Sequence, residues 1–149
     1  MIETKQLFQD LAQSGQFQWI DLHLAETLNR LSGQDDPSVF LASALASRAV
    51  GQGHICLDLT SVAGQEITEE TTPTTCLPLA PWIERLMQSS VVGRPGDFRP
   101  LILDAKHRLY LHRSHFYEGL VADAITRMAE QPSDIPDQTL LRQALALLF

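Results

Sequence analysis

The sequence predicts an α+β domain that is predominantly helical, with five to six helices and a small antiparallel β-sheet. Three patterns predict this class: apolar residues at helical spacing along most of the chain, a period of two near residues 54–59, and a hairpin pattern near residues 101–111. The 149 residues, 44% of them hydrophobic, are enough for one domain with its own core. We therefore expect residues 1–149 to form a single domain.

Three helices separated by glycines are predicted in the first half of the chain. The first two carry apolar residues at helical spacing and stop before Gly15 and Gly33. The third is bounded by Asp36, which can cap it, by Pro37 at its first position and by Gly51 at its end. Because this third helix is rich in alanine and serine, neighbouring backbones can approach it closely. We expect it to be the central, most buried helix.

The middle of the chain is predicted to hold one strand, a polar loop and one helix. After Gly53 the pattern changes to a period of two, which predicts a strand near residues 54–59 with one buried face. That face would carry Ile55, Leu57 and Leu59. Residues 60–76 are interpreted as a polar surface loop with room for one helical turn, and the next helix opens at Pro81.

The second half of the chain is predicted to contain a β-hairpin and two further helices. Two short apolar runs, Leu101–Leu103 and Leu109–Leu111, flank a four- or five-residue turn. Helical spacing then continues from Tyr117 to Met128, and a last helix begins near Asp137.

The last helix has an apolar face larger than one domain needs to bury. The face is formed by Leu140, Leu141, Ala144, Leu145 and Leu148, and it is extended by Leu147 and Phe149. We expect self-association through this helix, or fraying of it. Its abrupt apolar end also favours the interpretation that the chain is the front part of a longer protein.

Several classes of protein are disfavoured by what the sequence lacks. A P-loop needs a lysine after a glycine, and neither Lys5 nor Lys106 follows one, so we expect no ATPase site and no cofactor in this chain. The two cysteines, Cys56 and Cys76, indicate neither a disulfide scaffold nor a zinc knuckle. Because there is no signal-peptide pattern and no run of roughly 18 apolar residues, we expect a cytoplasmic protein without contact to a membrane.

Two groups of residues have the composition of a chemical site but not its spacing. The three histidines of residues 107–115 match no usual zinc pattern, so we expect no metal there. His54, Cys56 and Asp58 have the residue types of a nucleophilic site. Same-face neighbours on a strand stand about 7 Å apart, however, which is too far for the required hydrogen bond. We therefore expect no catalytic residues and interpret Cys56 as a half-buried packing residue.

The charge pattern points to a candidate binding surface on the hairpin. The net charge of −7 argues against a surface built throughout for nucleic acid, yet five of the eleven basic residues lie within twenty positions around the hairpin. If Leu109 and Leu111 face the core, the side chains between and beyond them point outward. The candidate partner-binding residues are Arg108, Tyr110, Arg113 and Tyr117, because arginine and tyrosine are enriched in interfaces. In the structural alternative, Tyr110 packs on Pro100 or on the helix of Trp82, and the arginines pair with nearby carboxylates.

Several short motifs occur in an order that resembles a known family. They are Ile20–Leu22, Asp36–Pro37 with the Ala/Ser helix, Gly51–Leu59 (GQGHICLDL), Pro100–Asp104, Arg108–Arg113 (RLYLHR) and Tyr117–Glu118. Over essentially the whole chain they resemble the N-terminal domain of RecD, the alpha subunit of exodeoxyribonuclease V, the RecBCD helicase–nuclease. One departure is that Ser114 and His115 stand where the family places an aromatic pair.

The resemblance implies a docking role in DNA repair. In the family, the later part of RecD is an ATP-dependent 5′-to-3′ DNA helicase of a recombination complex, and the N-terminal domain docks the subunit onto RecC. We therefore expect a non-catalytic docking domain that binds a RecC-like subunit and meets DNA only through the full assembly.

Two other functions are left open by the residues. A winged-helix-like nucleic-acid-binding domain would use the 101–111 hairpin as its wing. Arg99, Lys106 and Arg108 favour it, while the net charge and the lack of a basic helix disfavour it. A small hydrolase around His54 and Cys56 is the third alternative and the least supported one.

Overall fold

The computed structural model describes residues 3–68, 73–132 and 137–148 of the chain, and these ranges contain seven α-helices and four short strands. In chain order the elements are α1 (Thr4–Gln13), α2 (Trp19–Leu31), α3 (Pro37–Gly51), β1 (Leu57–Asp58), α4 (Leu59–Val62), α5 (Leu79–Gln88), β2 (Val92–Gly93), β3 (Leu101–Leu103), β4 (Arg108–Leu111), α6 (His112–Glu130) and α7 (Gln138–Leu148). The predicted class, α+β and predominantly helical, is confirmed. The helix number exceeds the predicted five to six because the single turn α4 is a helix of its own.

Helix α3 lies at the centre of the core, as its alanine- and serine-rich sequence predicts. Eleven of its fifteen residues are buried, and it packs against α2, α5 and the sheet strands β1 and β4. The Asp36 carboxylate accepts a hydrogen bond from the Ser38 amide, Pro37 is the first helical residue, and Gly51 is the last. Small side chains let α2 approach this helix closely, and they leave little side-chain entropy to lose on burial.

Two polar contacts fix the neighbours of α3 in place. The Ser47 hydroxyl donates to the buried carboxylate of Asp21 in α2 at 2.6 Å. The indole Nε1 of Trp82, in α5, donates to the carbonyl oxygen of Ser38 at 3.0 Å. Because an unpaired buried polar group costs about 1–3 kcal/mol, each contact favours this packing of the helices over alternatives.

The sheet has the order β1-β4-β3-β2, so the predicted hairpin lies at its centre. Strand β4 is antiparallel to both β1 and β3, as predicted, whereas β2 joins β3 in parallel. The sequence gives no sign of this parallel pairing because β2 is only two residues long and has no alternation to detect.

Two boundaries differ from the sequence prediction. The strand expected near residues 54–59 shortens to Leu57–Asp58, where pairing with β4 begins, and Ile55 is exposed instead of buried. Helix α6 begins at His112 and not near Tyr117, because β4 leads directly into it. The hairpin therefore continues into a helix without a loop.

The chain forms two compact units, which divide between Glu118 and Gly119, within α6. The hydrophobic core cluster belongs to the first unit and extends from Leu7 to Leu109. No side chain of α6 or α7 is buried among the described residues. The single domain expected for residues 1–149 stays a prediction. Within the described ranges, no helix combines the length and the apolar character needed to cross a membrane.

Candidate protein-interaction surface

The hairpin turn is organised around the carboxylate of Asp104. Its Oδ1 accepts the backbone amides of Lys106 and Arg108, and its Oδ2 accepts Nε of Arg108 at 2.7 Å and lies 2.6 Å from Nη2. His107 closes the turn in the left-handed region, with φ of 61°. Arg108, one of the four predicted interface residues, is therefore held in an ion pair within its own hairpin.

Opposing effects set the pKa of Asp104. Partial burial raises it, but the hydrogen bonds from the amide and side chain of Arg108 and from the amide of Lys106 lower it by more. The pKa of Asp104 is therefore below its ordinary value, and the carboxylate stays ionised in the folded hairpin down to acidic pH.

Tyr110, the second predicted interface residue, is buried, so the prediction that its ring points to solvent is wrong. Only 2% of the residue is exposed, and burial raises the pKa of its hydroxyl. The ring meets the edge of His115 at a centroid distance of 5.1 Å, and Ile102, its partner in β3, is buried on the same face. Alternation does not predict the burial of Tyr110, because both faces of the hairpin are covered, one by the core and the other by the first turn of α6.

Arg113 and Tyr117, the remaining two predicted residues, lie together on the exposed side of α6. They are four residues apart, and the guanidinium of Arg113 lies 5.5 Å from the centroid of the Tyr117 ring. Phe116 is also exposed and meets the Tyr117 ring edge-on at 5.8 Å. This exposed group of arginine and aromatic residues has the composition of an interface centre.

A third exposed ring, Phe98, lies at the open end of the hairpin. It is 93% exposed, and its ring meets His112 edge-on at a centroid distance of 5.0 Å. A small cavity of about 190 Å³ is lined by Phe98, Arg99, Pro100 and His112. Sequence reasoning missed Phe98 because it stands alone in a turn, without a periodic apolar pattern. The available signal was a large apolar residue between Asp97 and Arg99 in an otherwise polar turn.

We define the hairpin-end surface as Arg94, Phe98, Arg99, Arg113, Phe116 and Tyr117, all of which are exposed. The segment from Arg94 to Arg99 and the start of α6 are joined where the His112 amide donates to the Pro100 carbonyl oxygen at 2.8 Å. Since His112 and Phe116 are four residues apart in a helix, they share a face. The surface is therefore continuous from Phe98 to Phe116.

The residues considered for metal binding or nucleophilic chemistry do not come together. His112 faces Phe98 and His115 faces Tyr110, and the described ranges contain no group of three or more side chains that could hold a metal. The Asp58 carboxylate caps α4, where the hydroxyl and amide of Thr60 lower its pKa. Within the described chain no hydrogen bond links Asp58 to His54 or to Cys56.

The two cysteines are both free, and Cys56 is half-buried, as predicted. Cys76 is buried, and burial raises the pKa of its thiol to about 11. The Cys76 thiol is therefore protonated at neutral pH and acts as a packing residue.

A comparison with protein families gives one match, which covers most of the first unit. The family model described as "RecBCD enzyme subunit RecD, N-terminal domain" matches residues 13–110. The chain belongs to this family. The matched part of the RecD N-terminal domain extends from the end of α1 to β4, so it includes α3, the sheet and Phe98. Arg113 and Tyr117 follow immediately after it.

Curated relatives agree with the family match. The RecBCD enzyme subunit RecD of Mycolicibacterium smegmatis is 37% identical over an alignment of 120 residues, and the alignment covers 78% of this chain and 20% of that protein. The RecBCD enzyme subunit RecD of Mycobacterium tuberculosis is 30% identical over an alignment of 141 residues, which covers 91% of this chain and 23% of that protein. This RecD N-terminal domain chain thus spans about a fifth of the length of the curated relatives it matches.

Proposed function

We propose that these 149 residues are a non-catalytic docking domain, which attaches a RecD-like subunit to a RecC-like subunit of a RecBCD-type complex. In this proposal the remainder of the subunit is an ATP-dependent 5′-to-3′ DNA helicase that acts in double-strand-break repair and recombination in the cytoplasm. The domain itself binds no cofactor and meets DNA only through the full assembly. Family membership and the curated RecD names support the proposal.

The exposed pair of Arg113 and Tyr117 carries the proposed docking role. A planar guanidinium over a tyrosine ring is pre-organised, so less side-chain entropy is lost when a partner covers it. Neither side chain packs in the core, because both are exposed on α6. Their exposure in the free domain is what an interface requires.

The test is binding of the double variant Arg113→Ala, Tyr117→Ala to the RecC-like subunit of the same organism. Loss of two central interface residues is expected to weaken binding by more than about 2 kcal/mol, roughly 30-fold, in isothermal titration calorimetry. Thermal unfolding should be nearly unchanged because neither side chain is buried. Arg127→Ala is the matched control, since Arg127 is an exposed arginine further along the same helix.

Unaltered binding by the double variant would remove these residues from the interface. A wild-type chain that does not bind the RecC-like subunit at all would refute the docking function itself.

The winged-helix alternative is favoured by two exposed cations, Lys106 at the hairpin tip and Arg99 at the open end of the hairpin. A wing needs free cations for the phosphates, whereas Arg108 is paired with Asp104 and Arg113 lies over Tyr117. The docking role is therefore better supported. Fluorescence anisotropy with a labelled DNA duplex tests the alternative, and binding that is lost in Lys106→Ala would favour it.

A further inference from the structure

We infer that Phe98 is the anchor of the hairpin-end surface, and that it inserts into an apolar pocket on the protein partner whose rim carries carboxylates. This inference rests on the proposed docking function and adds to it the chemistry of the partner's surface. Phe98 is not among the four interface residues that the sequence predicts.

The first observation is the exposure of a large apolar ring in a fixed position. Phe98 is 93% exposed. Transfer of a phenylalanine side chain from water into an apolar site is favourable, and this gain is still available to a partner. Rings that stay exposed in the free protein and become buried in a complex are typical interface anchors.

The second observation is that the backbone around Phe98 is tightly constrained. The Asp97 carboxylate accepts the Arg94 amide at 2.8 Å, and the Asp97 amide donates to the Arg94 carbonyl oxygen at 2.9 Å. The Arg99 guanidinium donates to the carbonyl oxygen of Ser90 at 2.7 Å. Hydrogen bonds thus hold the turn on both sides of Phe98. The turn therefore loses little conformational entropy when a partner binds.

Gly93 shows how closely this turn packs on the end of β2. A Cβ at position 93 would lie 2.7 Å from Cγ of Arg99 and 2.8 Å from Cβ of Asp97. Such contacts are far inside van der Waals distance, so only glycine allows the turn to fold back here. The backbone conformation of the turn therefore fixes the position of Phe98.

The third observation is the charge around the ring. Arg94, Arg99 and Arg113 are exposed, and Asp97 is the only carboxylate between residues 93 and 103. A partner surface complementary to this one combines an apolar pocket with carboxylates around it.

A nucleic acid also offers negative charge and stacking surfaces, but three observations favour a protein. The chain carries a net charge of −7, which opposes approach to a phosphate backbone. The Arg99 guanidinium already donates to Ser90, which reduces the donors it has for phosphates. The cavity of about 190 Å³ beside Phe98, lined by Pro100 and His112 among others, accepts an apolar side chain from the partner in return.

The experiment compares Phe98→Ala with Leu31→Ala in binding to the RecC-like subunit. Leu31 is also a large exposed apolar residue, on α2, so its variant controls for loss of apolar surface in general. Phe98→Ala is expected to weaken binding at least about tenfold with an unchanged melting temperature, and Leu31→Ala to leave binding unchanged. Arg94→Glu should lower the association rate and flatten its dependence on salt.

The outcomes separate this inference from the proposed function. If Arg113→Ala, Tyr117→Ala weakens binding but Phe98→Ala does not, the anchor inference is wrong and the docking function stands. If the wild-type chain does not bind, both fail. Anisotropy with a labelled single-stranded oligonucleotide and sedimentation of the free domain are run in parallel. Oligonucleotide binding that is lost in Phe98→Ala would overturn the inference in favour of a nucleic acid. Self-association that is lost in Phe98→Ala would overturn it in favour of a second copy of this chain.

Discussion

Asp104 is the residue on which the central hairpin depends most directly. Its carboxylate accepts two backbone amides and the Arg108 side chain, so one group fixes both the turn and the neighbouring strand. Buried hydrogen bonds to a charged group contribute up to about 1.5–3 kcal/mol each to stability, and exposure to solvent reduces this contribution.

We expect Asp104→Asn to lower the free energy of unfolding at neutral pH by about 1 kcal/mol, because the charge-assisted hydrogen bonds of the Asp104 carboxylate are weakened. The pKa of Asp104 is lower in the folded than in the unfolded state, so its stabilisation is present above the ordinary pKa of 3.8 and is lost as the pH falls through the folded value. The difference between wild type and variant should therefore shrink below pH 3.8. Urea unfolding at a series of pH values measures this.

Asp123→Asn is the control for this experiment, since Asp123 is exposed on α6. We expect this substitution to leave the free energy of unfolding at neutral pH unchanged. A difference between wild type and Asp104→Asn that does not vary with pH would show that the charge of Asp104 is not what stabilises the turn.

Single residues also mark the limit of what the sequence predicts about the interaction surface. Alternation placed Leu109 inside correctly, but it placed Tyr110 outside because it cannot indicate that a second layer covers the outer face. Phe98 was missed for the opposite reason, since a turn residue has no period. Arg113 and Tyr117 were predicted because arginine and tyrosine are enriched in interfaces. Their spacing of four residues brings the two side chains together on the helix.

Among the elements, helices were predictable where a cap marked their ends. Asp36 begins α3, and Asp137 begins α7 by accepting the amides of Thr139 and Leu140. Strand β2 could not be predicted, because its two residues show no alternation and their pairing is decided by tertiary contacts. Strand β1 was predicted, but with longer bounds than Leu57–Asp58.

Helix α7 keeps its apolar face exposed, so its expected self-association remains a prediction. Leu141 and Leu145 are one turn apart on this face. We expect Leu141→Glu, Leu145→Glu to abolish any concentration-dependent association, because two charges cannot be buried between helices at low cost. Analytical ultracentrifugation over a wide concentration range measures it.

The matched control carries the same added charge on the side of the helix opposite Leu141 and Leu145, as Thr139→Glu, Gln143→Glu. It should associate like the wild type. A wild-type chain that stays monomeric at all concentrations would refute self-association through α7.

At the scale of the whole molecule, stability is expected to reside in the first unit. The core cluster ends at Leu109, and α6 and α7 contribute no buried side chain among the described residues. We expect a variant that ends at Glu118 to keep its unfolding midpoint within about 4 °C of the full chain, because it retains every residue of the core cluster. Differential scanning calorimetry measures the midpoint.

A variant that ends at Asp104 is the complementary case. It loses β4 with the buried residues Leu109 and Tyr110, and we expect it not to fold. A large fall in the midpoint of the variant that ends at Glu118 would show that the second unit supports the core after all.

The two tryptophans of the chain make the core and the surface separately visible to fluorescence. Trp82 has no exposed area and donates its indole proton to Ser38, whereas Trp19 is 66% exposed and stacks on His23. An aqueous quencher therefore reduces the fluorescence of Trp19 and does not reach Trp82. The emission of Trp82 stays at short wavelength until α5 separates from α3. The unmodified protein thus carries its own reporter of core opening, and no label needs to be attached near the hairpin-end surface to follow it.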